Sequence, residues 1–261
     1  MSRLPLPVMC LLLAAAGILL SGTPVRAVEG AAKGYTLEFR RAMNDAIEAF
    51  TDRDFTKAEA ALATADKIVP ATVFSLNIHA AIEIERGRYP QGERYCRAVL
   101  QKDPKFFPAR FNLGEIQALQ KHYAAARAIF QEIQKDDPGN DLLQYRIIVT
   151  YLMENNDAAA QELLGQMKFP CDSGAYYYAN AAWAFAHGDK AGAEVWIRDG
   201  DWVFSHRANT ELLNVFYDVG WMQRPVPMAM RAAEASTPAP APAGANPPVK
   251  AAPATPAAAP Q

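Results

Sequence analysis

The sequence "QKDP" at residues 101–104 returns as "QKDDP" at residues 134–138, so that the two prolines stand 34 residues apart. A third proline, Pro70 in "DKIVP", lies another 34 residues upstream. Each proline closes a run with apolar residues at helical spacing. Proline ends a helix because it lacks an amide hydrogen and clashes with the preceding turn. The spacing therefore predicts a helical unit of 34 residues that is repeated along the chain.

Other residue types recur with the same period. Aromatic residues occur at Phe55, Tyr89 and Tyr123, each before a run of small residues. Three residues after each aromatic position comes a column of small residues, and four beyond that comes an apolar column. The small column is Ala58, Gly92, Ala126 and Ala160, the apolar column is Leu62, Cys96, Phe130 and Leu164, and a second small column is Ala46, Ala80 and Gly114, which Ile148 breaks. Because two helices approach closely only where one presents a small residue to the other, these columns predict a pair of helices in every unit.

The pattern resembles the tetratricopeptide repeat family, whose 34-residue unit is a helix-turn-helix that ends in a proline. The third unit carries the resemblance most fully, with Asn112-Leu113-Gly114, Tyr123, Ala126, Phe130 and Pro138. The fourth unit is weaker, and a fifth is displaced by an insertion or deletion near Cys171. The resemblance covers residues 37–205 and implies an all-α, right-handed solenoid of stacked repeats.

Residues 206–222 are predicted to form a last amphipathic helix. Asn209 or Thr210 is the expected N-cap, and Gly220 is the expected stop. A terminal helix of this kind covers the apolar end of a repeat array, which is needed for solubility. We therefore predict a C-terminal capping helix, and about 10–11 helices between residues 30 and 222.

The two ends of the chain differ in composition from the middle. Residues 1–27 contain Arg3, an apolar core and a final Val25-Arg26-Ala27, a pattern typical of a secretory signal peptide that is cleaved after Ala27. The alternative is an uncleaved N-terminal anchor, although the core is shorter than the ~20 apolar residues of a spanning helix. From Pro225 onward, ten prolines and fourteen alanines in 37 residues favour an extended tail without a core. We predict a signal peptide at 1–27, a repeat domain at 28–222 and a disordered Pro/Ala-rich tail at 223–261.

Charge and cysteine content narrow the class of protein. Removal of residues 1–27 leaves 24 basic and 28 acidic residues, a formal charge of −4, which gives no indication of a nucleic-acid partner. The mature chain is predicted to be periplasmic or secreted, with no membrane span. Its two cysteines, Cys96 and Cys171, are too few for a disulfide framework. We expect two separate thiols, with Cys96 buried.

The sequence lacks the usual signatures of catalysis. Its four histidines are scattered, and no two have the spacing of metal ligands. There is no H-E-x-x-H, no G-x-S-x-G and no glycine-rich phosphate loop. We therefore predict no catalytic residue, no metal and no cofactor. A nucleophile whose partners are distant in sequence is the alternative, and it makes an enzyme the most distant hypothesis.

The resemblance implies that the first helices of the units line a concave binding wall. Aromatic side chains supply contact area there, amides bond to peptide backbone, and arginine pairs with carboxylates. The predicted partner-binding residues are Asn77, Phe111, Asn112, Glu115, Tyr145, Arg146 and Tyr178. The alternative is that the aromatic residues pack between adjacent units. The basic carboxylate clamp of some relatives is mostly missing, so its specificity is not carried over.

Two hypotheses for the function follow. The first is a non-catalytic scaffold or adaptor of the cell envelope that binds a protein or peptide partner on the concave face. The second is a fixed accessory subunit of one envelope assembly or secretion machine, with the Pro/Ala-rich tail as a spacer. The sequence does not name the partner.

Overall fold

The computed structural model describes residues 34–224, which form eleven α-helices and no strand. Their compact unit ends at Met222. The helices are α1 (Leu37–Thr51), α2 (Phe55–Ile68), α3 (Val73–Glu85), α4 (Tyr89–Lys102), α5 (Phe107–Leu119), α6 (Tyr123–Gln134), α7 (Asp141–Met153), α8 (Asp157–Gln166), α9 (Ala175–Ala186), α10 (Lys190–Phe204) and α11 (His206–Asp218). The predicted signal peptide and almost all of the predicted tail lie outside the described residues, so the three-part division of the chain stays a prediction.

The first ten helices pair in chain order into five hairpins. First helices of successive hairpins also touch one another, as α1 does with α3, α3 with α5, and α7 with α9. Second helices make their main contacts only with their neighbours in the chain. The first helices therefore form an inner row, and the predicted all-α solenoid of stacked helical hairpins is confirmed.

Every hairpin turns at a residue in the left-handed region of backbone space. The φ angles are 60° at Arg53, 71° at Gly87, 63° at Lys121, 56° at Asn155 and 78° at Gly188. The first four residues stand 34 positions apart, and the fifth follows after 33. This left-handed residue lets the second helix fold back along the first within a short turn. The prolines at 70, 104 and 138 follow the ends of α2, α4 and α6, as predicted.

The small columns lie where the two helices of a hairpin meet. Ala58, Ala126 and Ala160 are all completely buried. A Cβ atom added to Gly114 would lie only 2.4 Å from Phe130 Cε1. The sequence prediction that small residues face bulky ones is therefore correct at this contact.

Ion pairs join successive units at one repeated position. Arg86 donates to both carboxylate oxygens of Glu59, at 2.5 and 2.8 Å. Two units later, Arg127 donates to Glu154 at 2.6 Å. Arg127 is in the repeat position of Glu59, and Glu154 is in that of Arg86. The ion pair therefore recurs at this position, with the acidic and the basic residue exchanged between the two units.

The helix α11 follows α10 after one residue and packs against α9 and α10, so the predicted capping helix is confirmed. Its N-cap is Ser205, whose Oγ accepts a hydrogen bond from the amide of Ala208 at 3.4 Å. The prediction that Asn209 or Thr210 is the cap is wrong, because the helix begins three residues before Asn209. Gly220 follows the helix with a φ of 83°.

Both cysteines of the described chain are free thiols, and Cys96 is buried, as predicted. Burial raises the pKa of the Cys96 thiol to about 12. Between residues 34 and 224, no helix has the length and apolar character that crossing a membrane requires.

Candidate functional site

The inner face is the surface formed by the first helices α1, α3, α5, α7 and α9. All seven predicted binding residues lie on four of these helices, α3 to α9. Their exposed fractions are 0% for Tyr145 and Tyr178, 3% for Phe111, 4% for Asn77, 7% for Asn112 and 8% for Arg146, and the side chain of Glu115 is 14% exposed. These residues therefore present little surface to solvent in this conformation.

Polar pairs connect successive first helices across the inner face. Asn112 Nδ2 donates to Asn77 Oδ1 at 3.3 Å, which joins α5 to α3. Arg146 and Glu115 form an ion pair at 2.6 Å, which joins α7 to α5. The Arg146 guanidinium also lies 5.5 Å from the centre of the Phe111 ring. The inner face therefore has a buried polar and aromatic floor that fixes how three units stack.

Phe111 packs inside its own unit. Its ring stacks on Phe107 with centroids 5.8 Å apart and lies against Phe130 of α6 at 5.3 Å. The alternative interpretation from the sequence was that the aromatic residues pack between adjacent units. The two ring contacts of Phe111 lie within its own unit, whereas its contact with Arg146 reaches the next unit.

Two of the predicted aromatic residues, Tyr145 of α7 and Tyr178 of α9, are covered by α11. The Tyr145 hydroxyl donates to the backbone carbonyl of Leu212 at 2.8 Å. The Phe216 ring meets Tyr145 edge-on at 6.5 Å and stacks on Tyr178 at 5.7 Å. The C-terminal helix therefore lies on the part of the inner face where the sequence predicted binding.

Sequence reasoning missed the contribution of α11 to this surface. Leu212, Leu213, Val215 and Phe216 are each no more than 5% exposed. These residues span a wide sector of the helix, so α11 is covered on more than one side. The width of this apolar sector can be read from the sequence, and it indicated that α11 contacts more than the end of the repeat stack.

A cluster around Asp201 of α10 fastens α11 to α9. Asp201 Oδ1 accepts hydrogen bonds from the Tyr178 hydroxyl at 2.8 Å and from Asn209 Nδ2 at 3.0 Å. His206 Nδ1 lies 2.6 Å from Asp201 Oδ2. Burial pushes the pKa of Asp201 up, but these bonds outweigh it and keep the pKa below its ordinary value. The cluster therefore favours a carboxylate at Asp201, and nothing in the sequence singled that residue out.

Charged residues gather beneath the other end of α11. A small cavity there is lined by Glu115 and Arg146 from the inner face and by Val215, Asp218 and Val219 from the end of α11. Glu115 Oε1 and Arg146 Nε are buried and have no hydrogen-bond partner within the described chain.

The carboxylates near this cavity are perturbed by their surroundings. Burial raises the pKa of Glu115 to about 7, although the charge of Arg146 acts in the opposite direction. Burial likewise raises the pKa of Glu211 on α11 to about 7, again against Arg146. The positive charge of Arg146 therefore lowers the pKa of a carboxylate on the inner face, Glu115, and of one on α11, Glu211.

Residues 34–224 contain no group of three or more histidine, cysteine or acidic side chains arranged to hold a metal ion. The inner face offers aromatic contact, amide hydrogen bonding and charge pairing. These are the means by which proteins bind other polypeptides.

Comparisons with known proteins agree with this architecture. Residues 83–140 match the family model of the tetratricopeptide repeat. A crystal structure of a tetratricopeptide repeat protein from Parabacteroides merdae superimposes with a TM-score of 0.57, at 17% sequence identity, over 72% of this chain and 75% of that one. At this identity the likeness shows a shared fold. No curated protein matches the chain.

Proposed function

We propose that the chain, whose residues 83–140 match the tetratricopeptide repeat and whose fold is shared with a protein of that kind, is a non-catalytic scaffold that binds a protein or peptide partner on its inner face. The observation that carries this proposal is the way in which α11 packs on Tyr145 and Tyr178 of the inner face. There, aromatic rings stack on a helix, and the Tyr145 hydroxyl bonds to a backbone carbonyl. The inner face thus has the chemistry to bind a polypeptide segment.

The proposed surface has two zones. The first zone is on α1, where Arg40 is exposed and Asn44 is half-buried, so a partner reaches it directly. The second zone is on α5 to α9, and α11 covers it. We assign its contacts to the residues predicted from the sequence, namely Glu115, Tyr145, Arg146 and Tyr178, above a floor that contains Asn77, Phe111 and Asn112.

The proposed location is the cell envelope, and the support for it is the signal-peptide pattern of residues 1–27. In this setting the Pro/Ala-rich tail serves as a spacer. N-terminal sequencing of the protein from its own cells tests the location. We expect a mature chain that begins at Val28, whereas an intact N-terminus in the membrane fraction would favour the anchored form.

Site-specific photo-crosslinking tests the binding surface. A photoreactive residue at Asn44 on the inner face is compared with one at Arg94, an exposed position on the second helix α4. We expect crosslinks to a protein partner from position 44 and not from position 94. Crosslinks from position 94 alone would place the partner on the outer face and refute the proposal. One stoichiometric partner in every preparation would indicate the fixed accessory subunit.

A further inference from the structure

We propose that α11 is a built-in occupant of the inner face, and that the partner displacing it is an amphipathic helix with an acidic residue at the cavity that contains Arg146. This inference rests on the proposed function and specifies the class of partner for the second zone. It is carried by three observations: the connection before α11, the pattern of residues that α11 presents, and the buried polar atoms that it leaves unpartnered.

The connection between α10 and α11 is one strained residue. Ser205 is the cap of both helices and has a φ of 68° and a ψ of 147°. This region of backbone space is costly for any residue except glycine. The strain persists because the Asp201 cluster ties the turn to α9. Rotation at this one residue, with opening of the cluster and of the contacts that Leu212 and Phe216 make with Tyr145 and Tyr178, would move α11 as a unit.

The contacts of α11 define what fits beneath it. Leu212, Val215 and Phe216 stand at positions i, i+3 and i+4, the spacing by which an amphipathic helix anchors in a groove. Asp218 lines the cavity that contains Arg146. A partner helix of this class therefore carries an apolar triplet at that spacing and, C-terminal to it, an acidic residue at this cavity.

The inner face keeps hydrogen-bonding capacity that α11 does not use. Glu115 Oε1 and Arg146 Nε are buried without hydrogen-bond partners beside the cavity, to which α11 contributes Val215, Asp218 and Val219. An unsatisfied buried polar group costs free energy. A partner helix that places a polar side chain there satisfies these atoms, so it has an advantage over α11.

The experiment uses a fluorescent peptide of residues 205–222 and the full mature chain. A Cβ built on Gly174 lies 2.8 Å from Asn209 Cγ, so cysteines at these positions are close enough for a disulfide. The double variant Gly174→Cys/Asn209→Cys is made with Cys171→Ser to prevent mispairing. Oxidation then locks α11 to α9, and reduction of the same protein is the matched control.

We expect the reduced protein to bind the peptide about tenfold more tightly than the oxidised protein. The reason is that α11 can leave the inner face, and so expose Tyr145 and Tyr178, only in the reduced form. Asp201→Ala, which opens the cluster, is expected to strengthen binding in the chain that is otherwise unchanged. A peptide with Phe216→Ala is the control and should bind weakly to both. Equal affinity in the two redox states, or equal binding of the control peptide, would overturn displacement.

Crosslinking from Asn44 separates this inference from the proposed function. Partner crosslinks from Asn44, together with peptide binding that is equal in the oxidised and reduced protein, would leave the proposed function in place and refute displacement of α11. Redox-dependent peptide binding without any partner crosslink from the inner face would refute the proposed function and keep α11 as a displaceable helix.

Discussion

Gly114→Ala should destabilise the protein, although alanine is the better helix former. Gly114 lies in the interior of α5, where alanine in place of glycine favours a helix by about 1 kcal/mol. The new Cβ would lie 2.4 Å from Cε1 and 2.8 Å from Cζ of Phe130. The two effects therefore have opposite signs, and the packing around Phe130 decides between them.

The residues packed around Phe130 leave its ring no space into which it could move. Carbon atoms are at optimal separation at about 3.5–4.0 Å, so Phe130 would have to move by roughly 1 Å or more. Phe130 is 1% exposed, and its ring lies 5.3 Å from that of Phe111. Overpacking of this kind costs about 1–3 kcal/mol and occasionally more. Subtraction of the helical gain gives a net loss of about 0–2 kcal/mol of unfolding free energy, and the 2.4 Å contact places the expected loss in the upper half of that range, at about 1–2 kcal/mol.

Urea denaturation followed by far-ultraviolet circular dichroism measures this loss. With a slope near 2 kcal/mol per molar, the midpoint should fall by about 0.5–1 M. Gly165→Ala on α8 is the control, because nothing lies within 4 Å of the added Cβ, and it should stabilise the protein. Phe130→Leu should reduce the cost of Gly114→Ala, since the two changes share one contact. Equal stabilisation by both alanines would refute the close-contact reasoning.

Three further predictions use the same denaturation assay. Ala126→Leu should lower the unfolding free energy by about 1–3 kcal/mol, because Ala126 is completely buried; an unchanged midpoint would mean that the column is not a helix contact. Tyr145→Phe should lower the unfolding free energy by about 1 kcal/mol, because it removes the hydrogen bond to Leu212. Amide hydrogen exchange should become faster in α11 but not in α1. An equal change in both helices would argue that this hydrogen bond does not hold α11 in place locally. The raised pKa values of Glu115 and Glu211, each about 7 against an ordinary 4.5, mean that the folded state keeps protons that the unfolded state has released. Stability should therefore fall as pH rises from 4.5 to 7, by on the order of 1–2 kcal/mol, and Glu115→Gln should flatten the fall; an identical profile in the variant would exclude Glu115 as a source.

The sequence predicted the repeat because its requirements are local and periodic. A proline after a helix and a small residue at a hairpin contact recur at fixed spacing, so they are visible without any knowledge of distant contacts. The left-handed turn residue was only partly visible. Gly87, Gly188 and Asn155 are residue types that favour positive φ, whereas Arg53 and Lys121 are not.

The sequence predicted which helices carry the candidate binding residues, but it did not predict that these side chains are buried. The register of the repeat determines which residues lie on a first helix, so Tyr145 and Tyr178 were assigned to the inner row. Their exposure depends on α11, which contacts Tyr145 across 67 positions of the chain. An amphipathic pattern shows that a helix buries one face, but it contains no information about the surface that receives it.

The orientation of α11 follows from the length of the connection before it. Successive units are joined by loops such as 69–72 and 103–106, which let the next first helix take its place beside the previous one. Before α11 the only residue outside a helix is Ser205, and its left-handed φ directs the chain back. A first helix of an ordinary sixth unit would pack on α9 and α10, as α11 does. The bond from Tyr145 of α7 shows that α11 reaches one unit further back. A terminal helix that continued the stack would leave the inner face open; the one-residue connection instead places the helix upon it.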